Sequence, residues 1–230
     1  MKKLLFLILS VYGVSFASTP IELDLPIDHV FVPKGFDSND SAEIIVKGTL
    51  PNLCHKTPTT EVKIEGRSIH ISLKSLYYDQ TDYFCPPAVL PFEETVRLGV
   101  LDKGMYQVSV NAGRNAQKGI LVITEASISN VDDFLYANVE YVQRINDNKI
   151  KLMGVNPSHC FSLKRIDFVS NDIDTYSVLP ILKQTAEDCP YQAVPFEYIV
   201  DVPSELAAKQ ILIHVRGMKG KSVNKVLDRR

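Results

Sequence analysis

The feature that most constrains this chain is a set of landmarks that occurs twice. Gly48, Pro51 and Cys54 recur as Gly154, Pro157 and Cys160, each 106 residues later. Cys85-Pro86 recurs as Cys189-Pro190, and Pro91-Phe92-Glu93 as Pro195-Phe196-Glu197, both at an offset of 104. A near-constant offset over so many landmarks predicts two copies of one unit of about 100 residues, an ordinary domain size. Within the 230 residues the copies are expected at 18–126 and 127–230. Ala126 to Asp133 reads as the linker, short enough to hold the two semi-rigidly.

The duplication also sorts the cysteines. There are four: Cys54, Cys85, Cys160 and Cys189. An even count favours disulfides in an exported chain. Two copies of one unit are expected to carry one internal bridge each, Cys54–Cys85 and Cys160–Cys189, because a cross-link between copies would require them to interlock. Each bridge closes a loop of roughly 30 residues, worth about 3–4 kcal/mol in the loop-entropy picture. A zinc site fits less well. His55 follows Cys54 while His159 precedes Cys160, and no Cys-x-x-Cys or His-x-x-x-His spacing exists.

Export is predicted by the first 17 residues. Met1-Lys2-Lys3 is followed by an apolar run from Leu4 to Val14 and then by Ser15-Phe16-Ala17, the pattern of a secretory signal peptide cut between Ala17 and Ser18. The run falls short of the roughly 20 residues a spanning helix needs. Its Lys-Lys start and compact length resemble bacterial export signals, so a periplasmic or secreted product is expected, with no membrane segment after cleavage. Composition agrees with a folded chain, at 45% hydrophobic and 23% charged residues. The net charge of −2 gives no reason to expect nucleic acid as a partner. Charge is unevenly spread, however. Lys209 to Arg230 holds four lysines and three arginines against one aspartate. Such lysines protect an edge strand, or offer a weak contact to an acidic partner.

Both copies alternate apolar and polar residues with period two. In the first, Val62 to Gly66, Ile69 to Leu73, Phe92 to Val100 and Tyr106 to Val110 read as strands, with turn signals at Asp37 to Asp40 and Asp102 to Gly104. In the second, a hairpin turn is expected at Asn146-Asp147-Asn148, and a helical turn is conceivable at Ser204 to Lys209. The expected fold is all-β: two tandem antiparallel immunoglobulin-like β-sandwiches. Asp102-Lys103-Gly104-Met105-Tyr106 resembles the tyrosine corner of immunoglobulin-like and fibronectin-like sandwiches, which implies that the Tyr106 hydroxyl satisfies backbone groups at a loop. The second copy lacks the motif, and Val108 stands where antibody-type domains place a core cysteine.

No hydrolase elbow, zinc-protease helix, phosphate loop or dinucleotide fingerprint is present, so no catalytic residue and no cofactor is expected. His70 and His214 sit between aliphatics in alternating runs, which places both on the opposite, solvated faces. Asn171-Asp172-Ile173-Asp174 fails the calcium-loop pattern, since the sixth position counted from Asp172 is not glycine and the twelfth is Lys183, and reads as a polar turn. Asn39-Asp40-Ser41 matches a glycosylation acceptor. The candidate binding surface is the aromatic stretch holding Tyr77, Tyr78, Tyr83 and Phe84, whose composition suits a partner-binding loop and equally suits a cover over the first bridge.

These observations predict a non-enzymatic binding or structural module that acts through loops or edge strands, its partner another protein or an envelope component. One alternative is a secreted enzyme inhibitor using the Tyr77–Phe84 loop; another is a hydrolase without a recognisable motif. In size the chain is also similar to periplasmic pilus-assembly chaperones, which donate an edge strand to subunits, and Asn156-Pro157 before a strand resembles their second domain. The two bridges and the duplication depart from that family.

Overall fold

The structure, a computed structural model of the chain, describes residues 19–78, 84–112, 116–206 and 208–228. The predicted signal segment and its junction at Ala17 and Ser18 lie outside the described residues, as does Tyr83.

Sixteen strands are described. In the first copy they are β1 (Ile21–Asp24), β2 (Ile27–Phe31), β3 (Phe36–Asp37), β4 (Ser41–Leu50), β5 (Thr59–Glu65), β6 (Ser68–Tyr77), β7 (Leu90–Val100), β8 (Gly104–Val110) and β9 (Gln117–Thr124). In the second they are β10 (Val139–Asn146), β11 (Lys149–Asn156), β12 (Phe161–Ser170), β13 (Thr175–Gln184), β14 (Val194–Asp201), β15 (Gln210–Gly217) and β16 (Lys221–Asp228). The protein is all-β, built as two sandwiches with one disulfide in each. Among the described residues no ladder joins a strand of β1–β9 to one of β10–β16.

The duplication is visible strand by strand. Sheet β2-β4-β7 corresponds to β10-β11-β14, and the run β5-β6-β8-β9 corresponds to β12-β13-β15-β16. Most ladders are antiparallel, but β6–β8 and β13–β15 are parallel in the same place in each copy, and β3 runs parallel to β9. The bridges also correspond. Cys54–Cys85 and Cys160–Cys189 each tie the segment ahead of β5 or β12 to the loop ahead of β7 or β14, with Cα atoms 5.7 and 5.8 Å apart. They join loop to loop at one end of each sandwich and do not pass through a core.

Local chemistry explains the elements. Gly66, at φ +59, occupies the first central position of the β5–β6 turn and supplies the left-handed conformation that tight hairpins need. Asn146 Oδ1 accepts from the Asn148 amide and closes the expected β10–β11 hairpin. At the first sandwich's corner Tyr106 is buried and donates its hydroxyl to Asp102 O at 2.9 Å, while Arg67 lies over its ring. Inward residues alternate as expected, with Ile44, Ile69, Leu73 and Leu121 in one core and Ile150, Leu152, Ile211 and Ile213 in the other. The described residues of 204–209 form no helical turn; Leu206 inserts instead into the second core.

The alternation breaks where the two sandwiches meet. On β4 every residue from Ala42 to Val46 is buried, as is every residue of β15 after Gln210. Their inward side chains fill a core, while their outward ones fill the joint. Phe31, Ile45 and Leu212 form a small apolar cluster there. Arg216 bonds Asp40 and Asp132 and lies over the rings of Phe36 and Tyr136. Burial alone would lower the Arg216 pKa, but the bonds and charge of Asp40, with Tyr136 and Asp132, outweigh burial and raise it above the ordinary arginine value.

His214 therefore does not face solvent, contrary to expectation. It does lie opposite Ile213 and Val215, but that face is covered by the first sandwich, and the histidine is fully buried. His70, on a face nothing covers, is exposed as expected. The linker is held as well. Asn39 Nδ2 donates to Ile128 O, Asn130 O and Asp133 Oδ1, so the nitrogen a glycan would need is engaged in fixing the linker.

Candidate functional site

The joint leaves an apolar cleft along one side, about 440 Å³ in volume, between β2, β9 and the turn that connects β12 to β13. Its floor is set by a glycine. A Cβ on Gly119 would lie 2.6 Å from Val32 Cγ2, so only glycine lets β9 approach the end of β2 this closely. Beyond that contact Val30, Ile120 and Val122 line the walls.

The opposite wall belongs to the second sandwich and is shaped by Asn171. Its Oδ1 accepts from the amides of Ile173, Asp174 and Thr175, which folds the turn tightly enough to put Asp172 at φ +65. Its Nδ2 donates to Val32 O at 3.2 Å and to Asp174 Oδ1 at 2.9 Å. The same side chain thus shapes the turn and fastens it to the first sandwich. Ile173 is pushed outward and stands 68% exposed across from Ile120, 56% exposed.

Charges ring this apolar interior. His29 Nε2 donates to Asp174 Oδ2 at 2.5 Å, and Lys34 Nζ lies 3.0 Å from Asp172. Burial alone would raise the Asp174 carboxyl; hydrogen bonds from His29, Asn171 and Thr175 outweigh burial and hold it below the usual carboxylate range. Lys118 also lines the cleft, and no carboxylate lies within ion-pairing distance of it among the described residues. Both aspartates are thus already engaged, Asp172 by Lys34 and Asp174 by hydrogen bonds from His29, Asn171 and Thr175, whereas Lys118 has no ion-pair partner among the described residues. No serine, threonine or cysteine is among the described lining residues. The arrangement can hold an apolar group beside a negative charge.

The residues singled out from sequence lie elsewhere. Tyr77 and Tyr78 are half-buried beside the first bridge: Tyr77 Oη sits 3.9 Å from Cys85 Sγ, and the Tyr78 amide donates to Cys54 O. His55 closes the group, bonded to Ser75 Oγ and tilted against the Tyr77 ring. Tyr77 thus lies against the disulfide, while the Tyr78 ring lies under Lys56. Phe84 stands free, 83% exposed. None of them lines the interdomain cleft. In the second sandwich Tyr191, just beyond Cys189-Pro190, is equally exposed and borders a smaller hollow with Lys219 and Lys221. A single tyrosine without aromatic neighbours carries no compositional signal, so the sequence does not single it out.

Another concavity, about 680 Å³, lies on the β10–β11 hairpin tip, where Arg144 and Asp147 pair with each other. Its lining is a single turn of polar residues, Arg144 and Asn146 to Lys149. Among the described residues no group of three or more histidines, cysteines or carboxylates is arranged to hold a metal ion.

Comparison with known proteins bears on the first sandwich. A family model described as the ORF11 beta-sandwich domain matches residues 44–119, from β4 to the start of β9. The chain contains a β-sandwich domain similar to that family over about a third of its length. Comparison with curated proteins and with solved structures returned no match.

Proposed function

We propose that the protein is an exported, non-enzymatic binding module, periplasmic or secreted after removal of residues 1–17, that presents the cleft between two immunoglobulin-like sandwiches to a partner in the cell envelope or beyond. The observation that carries this reading is the cleft itself: Ile120 and Ile173 stand exposed on walls contributed by different sandwiches, and Asn171 and Gly119 fix its shape. A cleft of a few hundred Å³ with apolar walls and few polar groups is the usual form of a ligand site. Both bridges support export, since disulfides persist in oxidising compartments. No helix among the described residues is long and apolar enough to cross a membrane. The Tyr106–Asp102 corner supports the immunoglobulin-like kinship, and the parallel β6–β8 ladder marks its departure from antibody-type sheets.

The test is photocrosslinking in the native medium, with a photoreactive residue placed at Ile120 or Ile173 and, as control, at Lys63 on the exposed strand β5. An adduct formed from both cleft positions and not from Lys63 is expected. The same adducts from all three positions, or none from the cleft, would overturn the reading.

A further inference from the structure

We infer that the cleft takes a small amphiphilic anion: an apolar body of acyl or aromatic character bearing one carboxylate. This names the ligand class of the site proposed above and rests on that reading.

Three observations point to this chemistry. The first is the lining, in which Val30, Val32, Ile120, Val122 and Ile173 form a continuous apolar wall on three sides. A guest that covers Ile120 and Ile173 gains free energy from the apolar area withdrawn from water, on both itself and the protein. The second is charge. Asp172 pairs with Lys34, and both oxygens of Asp174 accept hydrogen bonds, Oδ2 from His29 and Oδ1 from Asn171 and Thr175, so each carboxylate is already engaged within the protein. Lys118 has no such partner among the described residues and stands on the same strand as Ile120, two positions away, so both side chains project from one face of β9. An ammonium beside an apolar wall is matched by a ligand with a carboxylate at the end of an apolar body, and not by a neutral or a positively charged one. The third is size. About 440 Å³ lies within the range of small-molecule sites. A folded chain is too large for that volume, and the close approach of Gly119 to Val32 closes the space between β2 and β9 at that point.

That approach also explains why neither β2 nor β9 is offered to an added strand. Among the described residues β2 pairs only with β4, while β9 pairs with β8 on one side and, at Ile123 and Thr124, with β3 on the other; the stretch of β9 that β3 leaves free approaches β2 at Val32 and Gly119, so a guest lies over the cleft and does not intercalate between them.

The experiment uses the full mature chain and four probes: decanoate, 2-naphthoate, decanol and decylamine. Calorimetry reads affinity, and methyl resonances of valine and isoleucine read location. Decanoate or naphthoate is expected to saturate one site and to shift the methyls of Val30, Ile120, Val122 and Ile173. The stronger of the two identifies the ligand as acyl or aromatic. Lys118→Glu is expected to weaken binding at least tenfold, Lys118→Arg to retain it, and Ile120→Asp to abolish it. Both positions are exposed, so the fold should survive these changes, and an unchanged thermal midpoint checks that it does.

Decanol or decylamine binding as tightly as decanoate would overturn the assignment of an anion. So would shifts outside the cleft, or affinity indifferent to Lys118→Glu. If neither carboxylate binds while the cleft still gives site-specific adducts in the crosslinking test, the ligand class fails and the binding-module reading stands. If crosslinking fails too, both fall.

Discussion

Arg216 on β15 donates to both carboxylate oxygens of Asp40, a residue 176 positions earlier in the chain, and the two side chains are 5% and 2% exposed. Asp132, from the linker, takes a further bond from the same guanidinium and accepts from the Gly220 amide with its other oxygen. Three segments that are distant in sequence are thereby tied at one buried point. A buried pair is a poor source of net stability, since desolvation consumes much of the attraction, but removing one partner leaves an uncompensated charge and costs about 3–5 kcal/mol. Arg216→Ala strands two carboxylates, so the thermal midpoint should fall by roughly 10 °C. Small-angle scattering should then show a larger radius of gyration as the sandwiches separate. A compact particle with an unchanged midpoint would show that the node does not hold the joint.

A second relationship links the duplicated landmarks to each other. Gly48 pairs with Phe92 across the β4–β7 ladder, and Gly154 pairs with Phe196 across β11–β14. In each copy a Cβ on the glycine would meet the aromatic ring at under 3 Å and, closer still, a backbone oxygen: Pro26 O at 2.5 Å, Asn138 O at 2.1 Å. The residue after each glycine donates its amide to that oxygen. Gly48→Ala and Gly154→Ala should each cost at least about 2 kcal/mol, measured by denaturant unfolding. Adding Phe92→Leu or Phe196→Leu should not restore stability, because the carbonyl remains in the way. Rescue by the smaller side chain would show that the ring alone dictates glycine.

That pairing also shows why much of the fold was legible in the sequence. Gly, Pro-Phe-Glu and the cysteines recur because each solves a local problem once per sandwich, and such solutions leave a mark at a fixed spacing. Period-two alternation found β5 to β8 because one face of those strands meets a core and the other meets water. It misjudged His214 because β15 has a second sandwich on its outer face, and pattern alone does not distinguish protein from solvent there. The cleft was the least legible part. β2 lies between Pro26 and Pro33 and carries no clean alternation, so its His29 and Val30 gave no signal. Asn171 to Asp174 was recognised as a polar turn, but nothing in those residues says that His29 approaches from 145 positions away. The aromatic stretch stands out by composition, and Tyr77 lies at the bridge, a structural use of that side chain.

The two bridges offer a paired experiment. Their closed loops are nearly equal, with sequence separations of 31 and 29. Stabilisation through the unfolded chain depends on loop length, so serine replacement of Cys54 and Cys85 should cost about the same as replacement of Cys160 and Cys189, roughly 3 kcal/mol each. Non-reducing peptide mapping should recover these two links and no others. Unequal losses measured by chemical denaturation would assign the difference to native contacts, among which Tyr77 and His55 surround only the first bridge.

The joint should also respond to acid through Glu43. Burial pushes this carboxyl upward, but bonds and charge from His214, with further bonds from Asn224 and Ser222, outweigh burial and hold it at about 2, against 4.5 for a free glutamate. Ser222 and Asn224 belong to β16, so these contacts cross between the sandwiches. A depressed carboxylate contributes stability that is fully present above its unfolded value and lost as pH falls through its folded one. The window is therefore pH 4.5 down to about 2, and the shift corresponds to an upper figure of about 3 kcal/mol. The wild-type thermal midpoint should drop more steeply across that window than the midpoint of Glu43→Gln, which is expected to be less stable at pH 7 and to approach the wild type near pH 2. Parallel pH profiles for the two proteins would show that Glu43 makes no differential contribution on folding.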